Sequence, residues 1–205
     1  MNIAEIRSVE RKYQDCKECS LCEQRKALPH FGMGHPEGSI LLVIPAPILG
    51  PEINLKNLEL YDNSPIQKNH KAYKMLTSIL KATEIAKLDI YIVPTVMCPS
   101  GKERRPTKEE VLACKPRLLE TISAYNPKML ILCGPMAYYS WYENPPTDVK
   151  YGVLYDKDGK TIYYTRGFES YLKIKESNDY TINQVEEIGR EILDNWKEIA
   201  ALSKR

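Results

Sequence analysis

At 205 residues the chain is long enough to bury a core without disulfide staples, and its length suits one domain spanning residues 1–205. Its hydrophobic share of 43% and charged share of 27% are those of an ordinary soluble globule, and no run approaches the length of a membrane span. A net charge of +2 is too small to argue for nucleic acid by itself, and fourteen tyrosines against two phenylalanines decide nothing.

Ile3, Ile6, Val9 and Tyr13 recur at helical spacing, so a short amphipathic helix is predicted at the start. It leads into Cys16 and Cys19, a C-x2-C pair, with Cys22 close behind. A loop bearing His30, Gly32, Gly34 and His35 follows. Ser39 to Ile44 is a continuous apolar run bounded by turn residues, as in a buried parallel strand. It ends in Pro45-Ala46-Pro47-Ile48, a rigid loop because proline continues neither ladder nor helix. Residues 52 to 69 show no period and read as a long surface loop, of the kind that often carries function.

Tyr73, Leu76, Ile79 and Leu80 mark a helix from Lys71, and Asp89 to Val93 a second strand that runs on through Pro94 towards Cys98. After the basic turn Lys102-Glu103-Arg104-Arg105-Pro106, Thr107 and Glu110 form a capping box, so a helix begins there and carries Cys114 two turns in. Lys128 to Gly134 is a third buried strand, with a short aromatic helix after Pro135. Tyr151–Tyr155 and Thr161–Thr165 flank Asp158-Gly159, a hairpin signal. A last helix, about 181–203, opens on a second capping box at Thr181 and Gln184, its inner face lined by Ile182, Val185, Ile188, Ile192, Trp196 and Ile199.

Strands alternating with helices make an α/β three-layer sandwich with a mainly parallel central sheet. Ligands of such sheets bind beyond the carboxyl ends of the strands, so the loops at 45–70, 98–106 and 165–172 are expected to share one face.

The cysteines carry the most specific chemistry. Cys16 and Cys19 near the start, with Cys98 and Cys114 in the middle, are able to close one tetrahedral thiolate site. Four thiolates suit either zinc or an iron–sulfur cluster, and spacing does not choose between them. Three disulfides are the bland alternative. No apolar leader opens the chain, so a reducing, cytoplasmic setting is expected, where clustered cysteines are more often ligands than bridges. Cys22 and Cys133 are spares, and Cys133, in the run Met129 to Cys133, reads as a small buried hydrophobe.

Several of these motifs, in this order, resemble the iron–sulfur (family 4) uracil-DNA glycosylases. Cys16-x2-Cys19-Ser20-Leu21-x3-Arg25 resembles the family opening. Arg105-Pro106-Thr107-Lys108-Glu109-Glu110-Val111-Leu112-Ala113-Cys114 resembles its R-x-P-T-x-E-E-x-x-x-C stretch, less one residue between Arg and Pro. Asn126 to Ala137 is similar to its strand-G-x-x-A element. The likeness covers roughly residues 16–172 and implies the glycosylase fold, a [4Fe–4S] cluster on Cys16, Cys19, Cys98 and Cys114 rather than zinc, and DNA as partner.

The departures fall on the base pocket that the resemblance implies. Where the family has Gly-Glu-Ala-Pro-Gly, this chain has Ile44-Pro45-Ala46-Pro47-Ile48. Its stacking Phe corresponds to Ile66, its base-reading Asn to Pro94, and the His of its late His-Pro-Ser motif to Phe168, followed by Glu169 and Ser170. The lost acid has candidate replacements in Glu52, Asp62 and Glu169, although a loop carboxylate is usually just solvated. Two functions follow as expectations. One is a glycosylase excising a modified or damaged base other than uracil, with Phe168 stacking the base. The other is a catalytically inactive DNA-binding or protein-complex component in replication, repair or a phage-related assembly. In either, Lys102, Arg104 and Arg105 are candidates to hold phosphates. A structural zinc protein without a DNA role is a third reading.

Overall fold

The computed structural model describes residues 3–24, 29–49, 64–99, 104–142, 149–154 and 160–204. Its central sheet has the strand order β1-β3-β2-β4-β6-β5. Four strands run parallel: β3 (Ile90–Pro94), β2 (Ile40–Ile44), β4 (Met129–Cys133) and β6 (Thr161–Thr165). Antiparallel edge strands close both sides, β1 (Met33–Gly34) on β3 and β5 (Gly152–Leu154) on β6. The β5–β6 pairing answers the hairpin signal.

Every residue of β2, β3 and β4 is buried, because helices cover both faces. The alternation of side chains divides the core in two. Ile40, Leu42, Ile44, Ile131 and Tyr163 face α3 (Lys71–Thr83), α6 (Phe168–Glu176) and α7 (Ile182–Ser203). Leu41, Val43, Val93, Leu132 and Tyr164 face α1 (Ile3–Tyr13), α4 (Lys108–Tyr125) and α5 (Pro135–Trp141). A one-turn helix, α2 (Leu21–Gln24), follows the first cysteines. The chain leaves β2 through α3 to reach β3, then recrosses through α4 to β4 on the other side. Those two crossovers put α3 and α4 on opposite faces and open a crevice at the carboxyl ends of the strands.

Local chemistry sets the helix bounds. Both capping boxes form: Thr107 with Glu110 opens α4, and Thr181 with Gln184 opens α7. His70 caps α3, its Nδ1 accepting from the Ala72 N–H at 3.0 Å. Glu84 and Asn126 end α3 and α4 in the left-handed region, each amide returning to a carbonyl of the last turn.

The sequence reading differs from the structure in three elements. The loop expected around His30–Pro36 contains β1, where Gly34 has φ +138° and its missing Cβ would lie 2.2 Å from the Ile90 carbonyl oxygen. Only glycine allows that approach. The loop expected over 165–172 is mostly α6. Ile182, predicted on the inner face of α7, is 77% exposed, because the first turn of the helix lies beyond the layer beneath it; Ile192, Trp196 and Ile199 are buried as expected.

Trp196 is fully buried and stacks on Phe168 with ring centroids 6.1 Å apart. Trp196→Ala is therefore expected to cost about 3–5 kcal/mol in urea titrations. Ile182→Ala, at the exposed end of the same helix, should stay within about 0.5 kcal/mol of the parent.

Candidate functional site

The β2–β3 ladder continues past its last strand residues. The Thr95 N–H donates to the Ile44 carbonyl at 2.7 Å and the Val96 N–H to that of Pro45 at 3.4 Å. Arg117, 1% exposed on α4, donates from Nη2 to the carbonyls of Pro94 and Thr95 at 2.6 and 2.9 Å. Two loops thus leave the sheet side by side, one towards Pro47 and the other towards Cys98.

The first borders a cleft of about 780 Å3, counted with its open mouth. Pro45, Ala46 and Pro47 line one side, Pro135 and Met136 another, and Gly167 to Ser170 with Lys173 a third; Arg104, Arg105 and Pro106 complete the rim. At its floor Gly134, with φ +91°, meets Gly167, whose Cα would lie 3.4 Å from a Cβ at 134. The Gly134 N–H also donates to the Thr165 carbonyl at 2.8 Å, so the ends of β4 and β6 close together.

The polar equipment of the cleft is small. Arg105 Nη2 donates to Ser170 Oγ at 3.3 Å. Glu169 is partly buried; burial raises its carboxyl above the ordinary range, opposed by the charges of Lys173 and Arg105. Cys133 donates to the Arg166 carbonyl at 3.5 Å, and burial pushes its thiol up to about 12, so it stays protonated.

Not every candidate residue reaches this cleft. Phe168 borders it, yet its ring is 1% exposed and packs on Trp196 in the core, so the expected stacking surface is spent internally. Ile66 is fully buried and bridges Ile48, joining the core under α3 rather than the cleft wall. Pro94 ends β3 with its carbonyl held by Arg117, and it too is absent from the lining. Lys102, Glu52 and Asp62 lie outside the described residues. The structure adds Cys133, Pro135, Met136 and Lys173 to the cleft. The first three flank Gly134, where a buried strand turns into a helix, a pattern that points to them. Lys173 carried no signal, because α6 was read as a loop.

The second loop borders a smaller cavity. Cys16, Cys19, Cys98 and Cys114 all line it, and Cys22 makes a fifth thiol there. All six cysteines lie among the described residues, and none is in a disulfide. Burial raises the Cys19 thiol, a backbone hydrogen bond from Leu21 opposes this, and Cys114, Glu110 and Cys16 raise it further. Among the described residues no three Cys, His, Asp or Glu side chains close around one point tightly enough for a single metal ion. His30 lies in a loop as expected and is fully buried beside this region, its backbone N–H donating to the Met97 carbonyl at 2.7 Å. Leu21, Val96, Met97 and Ala113 form the apolar lining of the cavity, and Ala46 and Met136 of the cleft belong to the same core cluster as the first three.

Glu110, 5% exposed, ties the pieces together. Its carboxylate accepts both terminal nitrogens of Arg104 at 2.7 and 2.8 Å, the Thr107 N–H at 2.8 Å, and Ser20 Oγ at 3.5 Å. Arg104 is thus committed to Glu110, which leaves Arg105 and Lys173 as the other cations of the cleft lining. The Arg104 guanidinium, ahead of the capping bond, holds the Glu110 carboxyl below its ordinary range.

A family model for the "Uracil DNA glycosylase superfamily" matches residues 61–177, more than half of the chain. The protein belongs to that superfamily. Its similar relatives include the Type-4 uracil-DNA glycosylase of Archaeoglobus fulgidus, 27% identical over 134 residues, which are 64% of this chain and 62% of that protein. The Type-4 enzyme of Pyrobaculum aerophilum is 26% identical over 131 residues, 63% of this chain and 61% of that protein. The Type-4 enzyme of Thermotoga maritima is 36% identical over 67 residues, 33% of this chain and 35% of that protein. The chain spans about three fifths or less of the length of these relatives.

Because the folded-state pKa of Glu110 is depressed, its contribution to stability is full above the unfolded value and disappears as pH falls through the folded one. Glu110→Gln should cost about 1–2 kcal/mol at pH 7, discounted for the part-exposed Arg104. That gap should close below about pH 4 in acid-dependent denaturation curves.

Proposed function

We propose that the protein is a DNA glycosylase that excises a modified or damaged base other than uracil. The observation that carries this reading is the cleft beyond the carboxyl ends of β2, β4 and β6 in a member of this superfamily, with a basic side chain at its mouth. A base inside a duplex must be turned out of the stack before its glycosidic bond is reached, and such a crevice is where it would go. The relatives named above are uracil-DNA glycosylases. In this chain the positions corresponding to the family's acid, base-reading Asn and His hold Pro45, Pro94 and Phe168, none with a side-chain hydrogen-bonding group. Donors and acids of that kind are each worth about 10²–10³ in rate, so uracil is not the expected substrate. The wall formed by Pro45, Ala46 and Pro47 suits an apolar base face, with Arg105 and Ser170 as the polar contacts.

The same reading includes a [4Fe–4S] cluster on Cys16, Cys19, Cys98 and Cys114. Four cysteines from three separate segments lining one cavity are the donor set that such a cluster takes. A cubane spreads its thiolates over four irons, whereas a zinc ion draws four sulfurs to about 2.3 Å from one point. Bound there, the cluster would cross-link the N-terminal segment, the loop after β3 and α4, fixing the apolar wall that backs Ala46. DNA is the proposed partner.

Anaerobically purified protein should be brown, absorb near 400 nm and carry about four irons per chain, and Cys98→Ser should lose the colour. Colourless protein with one zinc would replace the cluster with the alternative metal. The activity is tested on a panel of modified-base oligonucleotides, single- and double-stranded, read as abasic sites. Excision of a non-uracil base at a rate at least about 100-fold above that of uracil is expected. No excision from any substrate by brown, folded protein would instead favour an inactive DNA-binding or assembly component. Arg105→Ala should weaken DNA binding and lower the slope of log affinity against log salt by about one, while Arg104→Ala acts mainly on stability.

A further inference from the structure

Glycosidic hydrolysis needs a group that accepts a proton from the attacking water and returns one to the departing base. The loop after β2 supplies none, since it reads Pro45-Ala46-Pro47. Of the titratable side chains lining the cleft, Arg104 is engaged by Glu110, Arg105 and Lys173 are cations, and Cys133 holds its proton. Glu169 is the one carboxylate among the described residues of the lining. It stands in the first turn of α6, directly after the residue that replaces the family's His, and makes no hydrogen bond to a described residue.

We propose that Glu169 is the catalytic carboxylate of this cleft, supplied by α6 instead of by the loop after β2. This rests on the glycosylase reading. One water oxygen forms a bond to C1′ of the deoxyribose, while the C1′–N bond breaks and its electron pair leaves with the base. The proton lost by the water passes to a Glu169 carboxylate oxygen and then to the base nitrogen, so atoms and charge balance with no further reactant.

The surroundings hold the Glu169 carboxyl above its ordinary range. Burial favours the protonated carboxyl, while Lys173 on the same helix and Arg105 from the segment before α4 favour the anion. Cys133, at the end of β4, is the other titratable group near it and stays neutral. Towards α3 and α7 the α6 region carries two ion pairs, Lys71 with Glu176 and Arg166 with Glu191. Excision should therefore rise with pH through a carboxylate limb lying above the ordinary range of about 4.3.

The test is single-turnover excision of the base identified by the substrate panel, measured across pH for the full-length, cluster-loaded protein. Glu169→Gln is expected to slow excision about 10²–10⁴-fold, to abolish the rising limb, and to leave DNA retention in a filter assay no weaker. Glu169→Asp keeps a carboxylate and should keep a limb, shifted in pH, at an intermediate rate. A Gln variant within threefold of the parent, or one that retains the limb, overturns the proposal and leaves the glycosylase reading intact. Absence of excision from every substrate by the parent protein overturns both. Weak activity in the Gln variant without its pH limb, at an unchanged melting temperature, separates proton transfer from a structural role.

Discussion

The site depends on how the sheet ends. At Thr95 and Val96 the hydrogen bonding of β2 and β3 runs one step beyond the strands, and the buried fork of Arg117 takes up the carbonyls of Pro94 and Thr95. An arginine is costly to bury unless its donors are used. Here Nη2 alone donates, to two backbone oxygens that the end of a strand would otherwise leave unpaired, while Nε and Nη1 find no partner among the described residues. The result is a fixed exit direction for both loops. One exit delivers Pro45–Pro47 to the cleft, and the other delivers Cys98 to the thiol-lined cavity. Because Ala46 and Met136 pack in the same apolar cluster as the cysteines, cleft and cavity share one wall. Whatever stiffens the cavity therefore also stiffens the loop beside the cleft.

Much of this was legible in the chain because the signals were local and redundant. The buried strands announced themselves as uninterrupted apolar runs, and the capping boxes at Thr107 and Thr181 fixed two helix starts. The order of the cysteines, with a helix carrying Cys114, was enough to bring four thiols to one cavity on paper, and they line one cavity in the fold. α4 survives Pro116 in its interior, which local propensity alone would argue against, because one face of the helix is buried against the sheet.

What was not legible depended on long-range geometry. β1 is two residues long and exists because Gly34 can press against the Ile90 carbonyl, a contact with no periodic trace. α6 begins at Gly167 without a side-chain cap, so nothing in the sequence marked its first turn, and Glu169 and Lys173 were not seen to share a helix. The fate of Phe168 was hidden for a similar reason. An aromatic in place of a polar residue suggests a stacking platform, but the direction of its ring is decided by Trp196, 28 positions further on, which offers it a place in the core. Arg104 and Arg105 are adjacent and alike in sequence, yet one is captured by Glu110 and the other points at Ser170.

These placements bear on how a pocket can change while its frame persists. The loop after β2 is constrained twice, by the ladder bonds at Ile44 and Pro45 and by the Ile48–Ile66 bridge, so its backbone path tolerates proline at both 45 and 47. That rigidity removes the side-chain chemistry of the loop without removing its shape. The start of α6 has the opposite character. Phe168 is buried in the core, and the next two positions, Glu169 and Ser170, line the cleft. A carboxylate there sits near the positive end of a helix and two cations, which oppose without overcoming the desolvation that a partly buried anion suffers. The fold thus supplies, around α6 instead of on the proline loop, the electrostatic support that an acid–base group needs.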